Sequence, residues 1–120
     1  MRYYSEDHQW VDVDGVNAVI GISAYAVSEI GDVNFVEPLS VGAKVAAGCP
    51  LCVIESMKAA ADVNSPVTGT VTAFNERLCT EPDLLSKSPE GEGWICKVTL
   101  DMPEELEVLM SEDAYRKMEK

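Results

Sequence analysis

Pro50-Leu51-Cys52-Val53-Ile54-Glu55-Ser56-Met57-Lys58-Ala59-Ala60-Ala61-Asp62-Val63 decides how this chain folds. Pro50 to Ile54 is a short apolar run of strand type, and the stretch from Ala59 to Val63 returns in a similar register. Lys58 stands at the apex and is the only basic residue between Lys44 and Arg77. Two such strands with a lysine between them predict a β-hairpin whose tip is held into solvent. A lysine there is open to a modifying enzyme. It can also carry a group that swings between active sites. A solvated turn lysine is the ordinary reading of such a residue, so the flanks have to decide.

Before the lysine stands Val41-Gly42-Ala43-Lys44-Val45-Ala46-Ala47-Gly48, a strand and turn punctuated by glycine. After it stands Ser65-Pro66-Val67-Thr68-Gly69-Thr70-Val71, a turn opening another strand. Two similar half-motifs around one lysine, within about 41–75, resemble the biotinyl and lipoyl carrier domains. The resemblance implies a mainly β hammerhead, or barrel-sandwich hybrid, with two sheets related by a pseudo-twofold axis and Lys58 on a hairpin tip.

The chain has 120 residues, which suits a single domain over 1–120 with one hydrophobic core. Hydrophobic residues make up 47% of it, against disorder, and no apolar stretch approaches a membrane span. The start, Met1-Arg2-Tyr3-Tyr4-Ser5-Glu6-Asp7, lacks a secretory core and the acid-poor character of a transit peptide. A cytoplasmic protein is expected, or a mature organellar form. The net charge of −12 repels phosphate backbones, so nucleic acid is not an expected partner. Such a surface suits steering onto the basic rims of partner enzymes.

The four cysteines are Cys49, Cys52, Cys79 and Cys96. Cys49 and Cys52 have Cys-x-x-Cys spacing, but a strand points side chains three apart to opposite faces, and no helix N-terminus lowers a thiol pKa there. Zinc would need a second close pair. Small buried hydrophobes are the expectation for all four. The single histidine, His8, reads as structural, and no Ser-His-Asp or Cys-His set exists, so no enzyme activity is expected.

Elsewhere, Gln9-Trp10-Val11-Asp12-Val13-Asp14 and Val16-Asn17-Ala18-Val19-Ile20-Gly21-Ile22 predict a hairpin across Asp14-Gly15. Ser23 caps a short helix from Ala24 to Ile30, closed by Gly31. A strand covers 32–37 up to Pro38. Thr80 caps a helical turn over 80–85, and a loop at 88–93 leads into a strand over 94–100. Helices follow over about 103–119, the first opened by Pro103 with Leu106, Leu109 and Met110 at helical spacing. The last is capped by Ser111 and runs through Tyr115 and Met118.

Together these pieces resemble the H proteins of the glycine cleavage system over nearly the whole chain. The matching fragments are His8-Gln9-Trp10, Gly21-Ile22-Ser23 with Tyr25-Ala26, Gly31-Asp32-Val33, Phe35-Val36-Glu37, Glu55-Ser56-Met57-Lys58-Ala59, Ser65-Pro66-Val67-Thr68-Gly69 and Pro89-Glu90-Gly91-Glu92-Gly93-Trp94. The resemblance implies a non-catalytic, monomeric carrier with lipoate on Lys58. It would shuttle the aminomethyl group of glycine between glycine decarboxylase, aminomethyltransferase and dihydrolipoyl dehydrogenase, after acylation by a lipoate-attaching enzyme. Glu55 and Ser56 become candidates for recognition by that enzyme. Gln9 becomes a candidate contact for the arm and its amine in a sheltering cleft. The family usually has glutamate at Gln9, valine at Met57 and a Leu-Pro order at Pro38-Leu39. Gln9 keeps an acceptor but loses a charge opposite an ammonium. A lipoyl carrier serving lipoate relay or redox signalling is the alternative. A biotin carrier fits less well, since Ala59 stands where such carriers have methionine.

Overall fold

The computed structural model describes residues 2–57 and 60–118; Lys58 and Ala59 lie outside the described residues. Strands β1 (Arg2–Tyr4), β2 (Gln9–Asp14) and β3 (Asn17–Ile22) precede helix α1 (Ala24–Ile30). Then come β4 (Val33–Val36), β5 (Lys44–Val45), β6 (Pro50–Ser56), β7 (Ala60–Asn64) and β8 (Gly69–Phe74). Short helices α2 (Arg77–Thr80) and α3 (Leu84–Lys87) lead to β9 (Cys96–Leu100). A 3₁₀ helix (Pro103–Val108), β10 (Met110–Ser111) and α4 (Glu112–Met118) close the described chain.

The strands form a seven-stranded sheet, β10-β1-β2-β3-β9-β8-β5, and a three-stranded sheet, β4-β6-β7. The chain before the lysine gives β5 to the large sheet and β6 to the small one, and the chain after it gives β8 and β7. β5 pairs antiparallel with β8, and β6 with β7. This is the two-sheet carrier architecture expected from the half-motifs. Both sheets share one core, in which Ile20, Val71 and Val98 meet Val36, Ile54 and Val63.

Most local signals act as anticipated. Ser23 Oγ accepts from the Ala26 N–H at 3.2 Å, and Gly31 ends α1 at φ 91°, where its N–H caps the Val27 carbonyl. On α1, Ala26, Val27 and Ile30 pack on the core while Tyr25 turns out against His8. The region 80–85 differs from expectation. Thr80 ends α2, its hydroxyl donating to the Arg77 carbonyl, and Pro82 separates it from α3, which follows Asp83. The strand predicted from Trp94 begins at Cys96.

The C-terminal region departs furthest. The helix expected from Pro103 is 3₁₀, and Met110 lies in β10 against Tyr4. Glu105 holds the 3₁₀ segment down by accepting from the Thr68 N–H and hydroxyl, at 2.6 and 2.7 Å. Ser111 caps α4 through the Ala114 N–H as expected, and residue 119 lies outside the described residues.

A second cluster fastens the chain ends. Tyr4 stacks on Tyr115 with ring centroids 4.4 Å apart, beside Trp10. Glu90 Oε1 accepts from the Tyr4 hydroxyl and from Arg116, while Oε2 accepts from the Ala24 N–H at 2.8 Å. Arg2 donates to the Glu90 carbonyl and lies 4.1 Å above the Trp10 ring. Trp10 Nε1 donates to the Pro89 carbonyl, and Gly21 leaves room for that ring, since a Cβ there would meet it at 2.5 Å.

Burial alone would raise the Glu90 pKa. The Tyr4 hydroxyl, the Ala24 N–H and Arg116 together outweigh burial and hold it below its ordinary value. Burial, and then Glu90 itself, push Tyr4 up to about 12. A carboxylate with a depressed native pKa stabilises the fold above the ordinary carboxyl range. It loses that contribution as pH falls through the native value. Glu90→Gln should therefore lower stability by about 2 kcal/mol at neutral pH. Its denaturation midpoint should also fall less steeply on acidification than that of the parent, as urea titrations across acid pH would show.

Candidate functional site

The β6–β7 ladder ends at the pair Glu55 and Ala60. Met57 is 86% exposed and Ser56 half-buried. Lys58 follows β6 by two residues in the sequence and lies outside the described residues. Glu55 is exposed, and on its other side it pairs with Phe35 of β4.

A cleft of about 360 Å³ lies at the base of the same hairpin. Its walls come from Ser5, Glu6, Asp7 and Gln9 on one side and from Gly48, Ser65 and Pro66 on another, with Val108 of the 3₁₀ helix and Leu109 just after it. The 5–9 segment is a tight loop. Ser5 N–H bonds to the Gln9 carbonyl, His8 N–H to the Ser5 carbonyl, and His8 takes φ 69°, a left-handed conformation uncommon outside glycine. That conformation is held from beneath. His8 Nδ1 is hydrogen-bonded to the Tyr115 hydroxyl at 2.6 Å, and the same hydroxyl bonds Ser23 Oγ at 2.7 Å. His8 is thus a structural residue. On the opposite wall, Gly48 N–H bonds to the Ser65 carbonyl and Ser65 N–H to the Cys49 carbonyl.

Gln9 lines the cleft while only 4% exposed. Its Oε1 accepts from Ser5 Oγ, and its Nε2 donates to the Asp7 carbonyl at 3.1 Å. The amide is therefore fixed, with one lone pair of Oε1 left for another donor. The structure places Glu55 and Ser56 at one end of the hairpin and Gln9 in the cleft at the other, while Lys58 lies outside the described residues. Sequence reading missed Ser5, Glu6, Gly48 and Leu109, which meet only through tertiary packing. The Ser65-Pro66 turn was its sole local trace.

The cysteines divide. Cys52 and Cys96 are buried, as expected of small hydrophobes. Burial pushes both thiols up to about 12, helped by the Glu37 charge at Cys52 and by Cys52 at Cys96. Cys49 and Cys79 correct the expectation, since both are exposed. Cys49 sits in the turn ahead of β6, its N–H bonded to the Ala46 carbonyl, and Cys79 faces outward on α2. Cys49 and Cys52 thus point to different environments, which a thiol pair could not use. No three metal-ligating side chains gather among the described residues.

The family model described as glycine cleavage H-protein matches residues 2–120. The chain belongs to the glycine cleavage H-protein family. A glycine cleavage system H protein of Thermotoga maritima is 43% identical over 116 residues, covering 97% of this chain and 94% of its own. A Schizosaccharomyces pombe relative, whose name includes "mitochondrial", is 45% identical over 95% of this chain and 68% of its own length. The crystal structure of a glycine cleavage system H protein from Mycobacterium marinum superposes with a TM-score of 0.87. It is 28% identical and covers 98% of this chain and 94% of that one. Among the described residues no helix is long and apolar enough to cross a membrane.

In the unacylated protein, a thiol reagent such as dithionitrobenzoate should titrate Cys49 and Cys79 rapidly. Cys52 and Cys96 should react only on unfolding. Four fast equivalents would contradict the burial of the inner pair.

Proposed function

We propose that this chain is the lipoyl carrier of a glycine cleavage system, with lipoate in amide linkage to Lys58 Nζ and no catalysis of its own. The observation that carries the reading is the hairpin. Glu55 and Ala60 are paired as the last rung of the ladder, and Lys58, which corresponds to the family's carrier lysine, stands between them in the sequence. Lipoate, when attached, supplies a dithiolane that accepts and gives up the aminomethyl group of glycine. The partners are glycine decarboxylase, aminomethyltransferase, dihydrolipoyl dehydrogenase and a lipoate-attaching enzyme. Docking to each is weak, and tethering raises the local concentration of the reacting group. The chain acts as one domain and as a monomer, in the cytoplasm or in an organelle that holds the same partners.

The cleft fits the far end of such an arm. Pro66, Val108 and Leu109 offer apolar wall, and Gln9 Oε1 with the carboxylates of Glu6 and Asp7 offers acceptors for an amine. An arm from the tip would run back along β7, where Ser65 lies five residue steps beyond Ala60, about 17 Å. Gln9 orients the amine through its fixed carbonyl, while Glu6 and Asp7 supply the negative field. Glu55 and Ser56 serve recognition by the attaching enzyme.

Co-expression with a lipoate ligase and free lipoate should add one lipoyl group, mapped to Lys58 by peptide mass and missing in Lys58→Ala. Biotin on Lys58, or a folded protein left unmodified, would overturn the reading. The uncharged Gln9 favours a second reading, a lipoyl carrier used in relay that stores no aminomethyl group. Loading by glycine decarboxylase separates the two. In the storage reading Gln9→Glu, which restores a charge opposite the ammonium, should slow loss of the loaded amine a few-fold. In the relay reading neither form would load.

A further inference from the structure

We propose that the outer face of the β4-β6-β7 sheet, centred on Phe35, is the docking surface for the enzyme that acylates Lys58. The inference rests on the reading of Lys58 as the carrier lysine, and it adds an anchor that the lysine motif does not contain.

Strict alternation from a buried Val33 would turn Phe35 into the core. The pairing shows otherwise. Val33 faces Ser56, Phe35 faces Glu55 and Val36 faces Ile54, so Asn34 is an extra residue in a β-bulge. Val33 and Val36 are both buried as a result, while Phe35 is 46% exposed. The fold thereby forgoes the burial of its aromatic ring. It sets that ring beside the strand that leads directly to Lys58. Bulges next to functional sites commonly re-aim one side chain in this way.

The surroundings suit one kind of partner. Phe35 lies opposite Glu55, and half-buried Val53 lies opposite exposed Asp62. Exposed Glu37 extends the same edge, its carboxylate accepting from the Val53 N–H. β4, β6 and β7 contain no lysine or arginine. An apolar centre with an acidic rim fits an apolar pocket bordered by basic side chains.

Reach selects the enzyme. Glu55 precedes Lys58 by three residues, at most about 10 Å of extended chain. An enzyme acting on the lysine nitrogen itself must come down onto this face. Enzymes acting on the far end of an acylated arm meet their reacting atoms well away from it.

Steady-state acylation of the unacylated protein by lipoate ligase, ATP and lipoate, followed by intact mass, tests this. Phe35→Ala should raise KM about tenfold with kcat within twofold. Phe35→Tyr should restore KM, and the parent KM should rise with salt. Circular dichroism and thermal melting should show both variants folded. Once acylated by prolonged incubation, Phe35→Ala should be turned over by dihydrolipoyl dehydrogenase at the parent rate. An unchanged KM in folded Phe35→Ala would overturn the proposal. So would a defect confined to the dehydrogenase or decarboxylase step, which would assign the face to another partner. Failure of the parent to accept lipoate at all would instead sink the carrier reading.

Discussion

The carboxylate of Glu90 joins parts of the chain that lie far apart in sequence. Through it the 88–93 loop is tied to Tyr4 of β1, to the first N–H of α1 and to Arg116 of α4. Three charge-assisted or backbone donors meet on one partly buried group, which is why it remains ionised despite desolvation. Beside this node Tyr4 and Tyr115 stack, and the Tyr115 hydroxyl fixes His8 and Ser23. The 5–9 loop, held through His8, is one wall of the cleft. The shape of a surface site therefore depends on a polar cluster buried behind it.

The molecule divides its tasks along one hairpin. At its base, backbone bonds between the 48–49 turn and Ser65 make a firm wall for the cleft. At its far end the paired strands run out between Glu55 and Ala60, and exposed Met57 follows. Under the proposed function, that contrast separates the place where the arm would rest from the end of the ladder it would leave. The excess of 21 acidic over 9 basic residues leaves this surface attractive to basic partners.

Much of this was legible in the residues because local rules agreed with the global fold. The β6–β7 pairing, the Asp14-Gly15 turn, the Ser23 cap and the Gly31 stop each follow from short-range chemistry, and each is found. Strands of two or three residues left no periodic trace, so β1, β5 and β10 emerge only from their pairing. Leu106, Leu109 and Met110 have helical spacing, yet Glu105 bonded to Thr68 and Met110 paired with Tyr4 draw that segment into 3₁₀ and strand instead. The cleft joins residues from four parts of the chain, which no window could connect. The bulge at Asn34 was equally hidden, since Val33-Asn34-Phe35-Val36 reads as an ordinary strand until its partner is known.

β1 begins at the second residue and pairs with β10, which begins at residue 110. Almost the whole chain is the loop that this ladder closes, the most unfavourable closure entropy in the molecule. Synthesis proceeds from the N-terminus, so β1 waits without its outer neighbour until residues 110–111 emerge. The β6–β7 hairpin has both its strands by residue 64. On the ribosome, the element bearing the lysine is therefore available well before the edge that steadies the cleft wall.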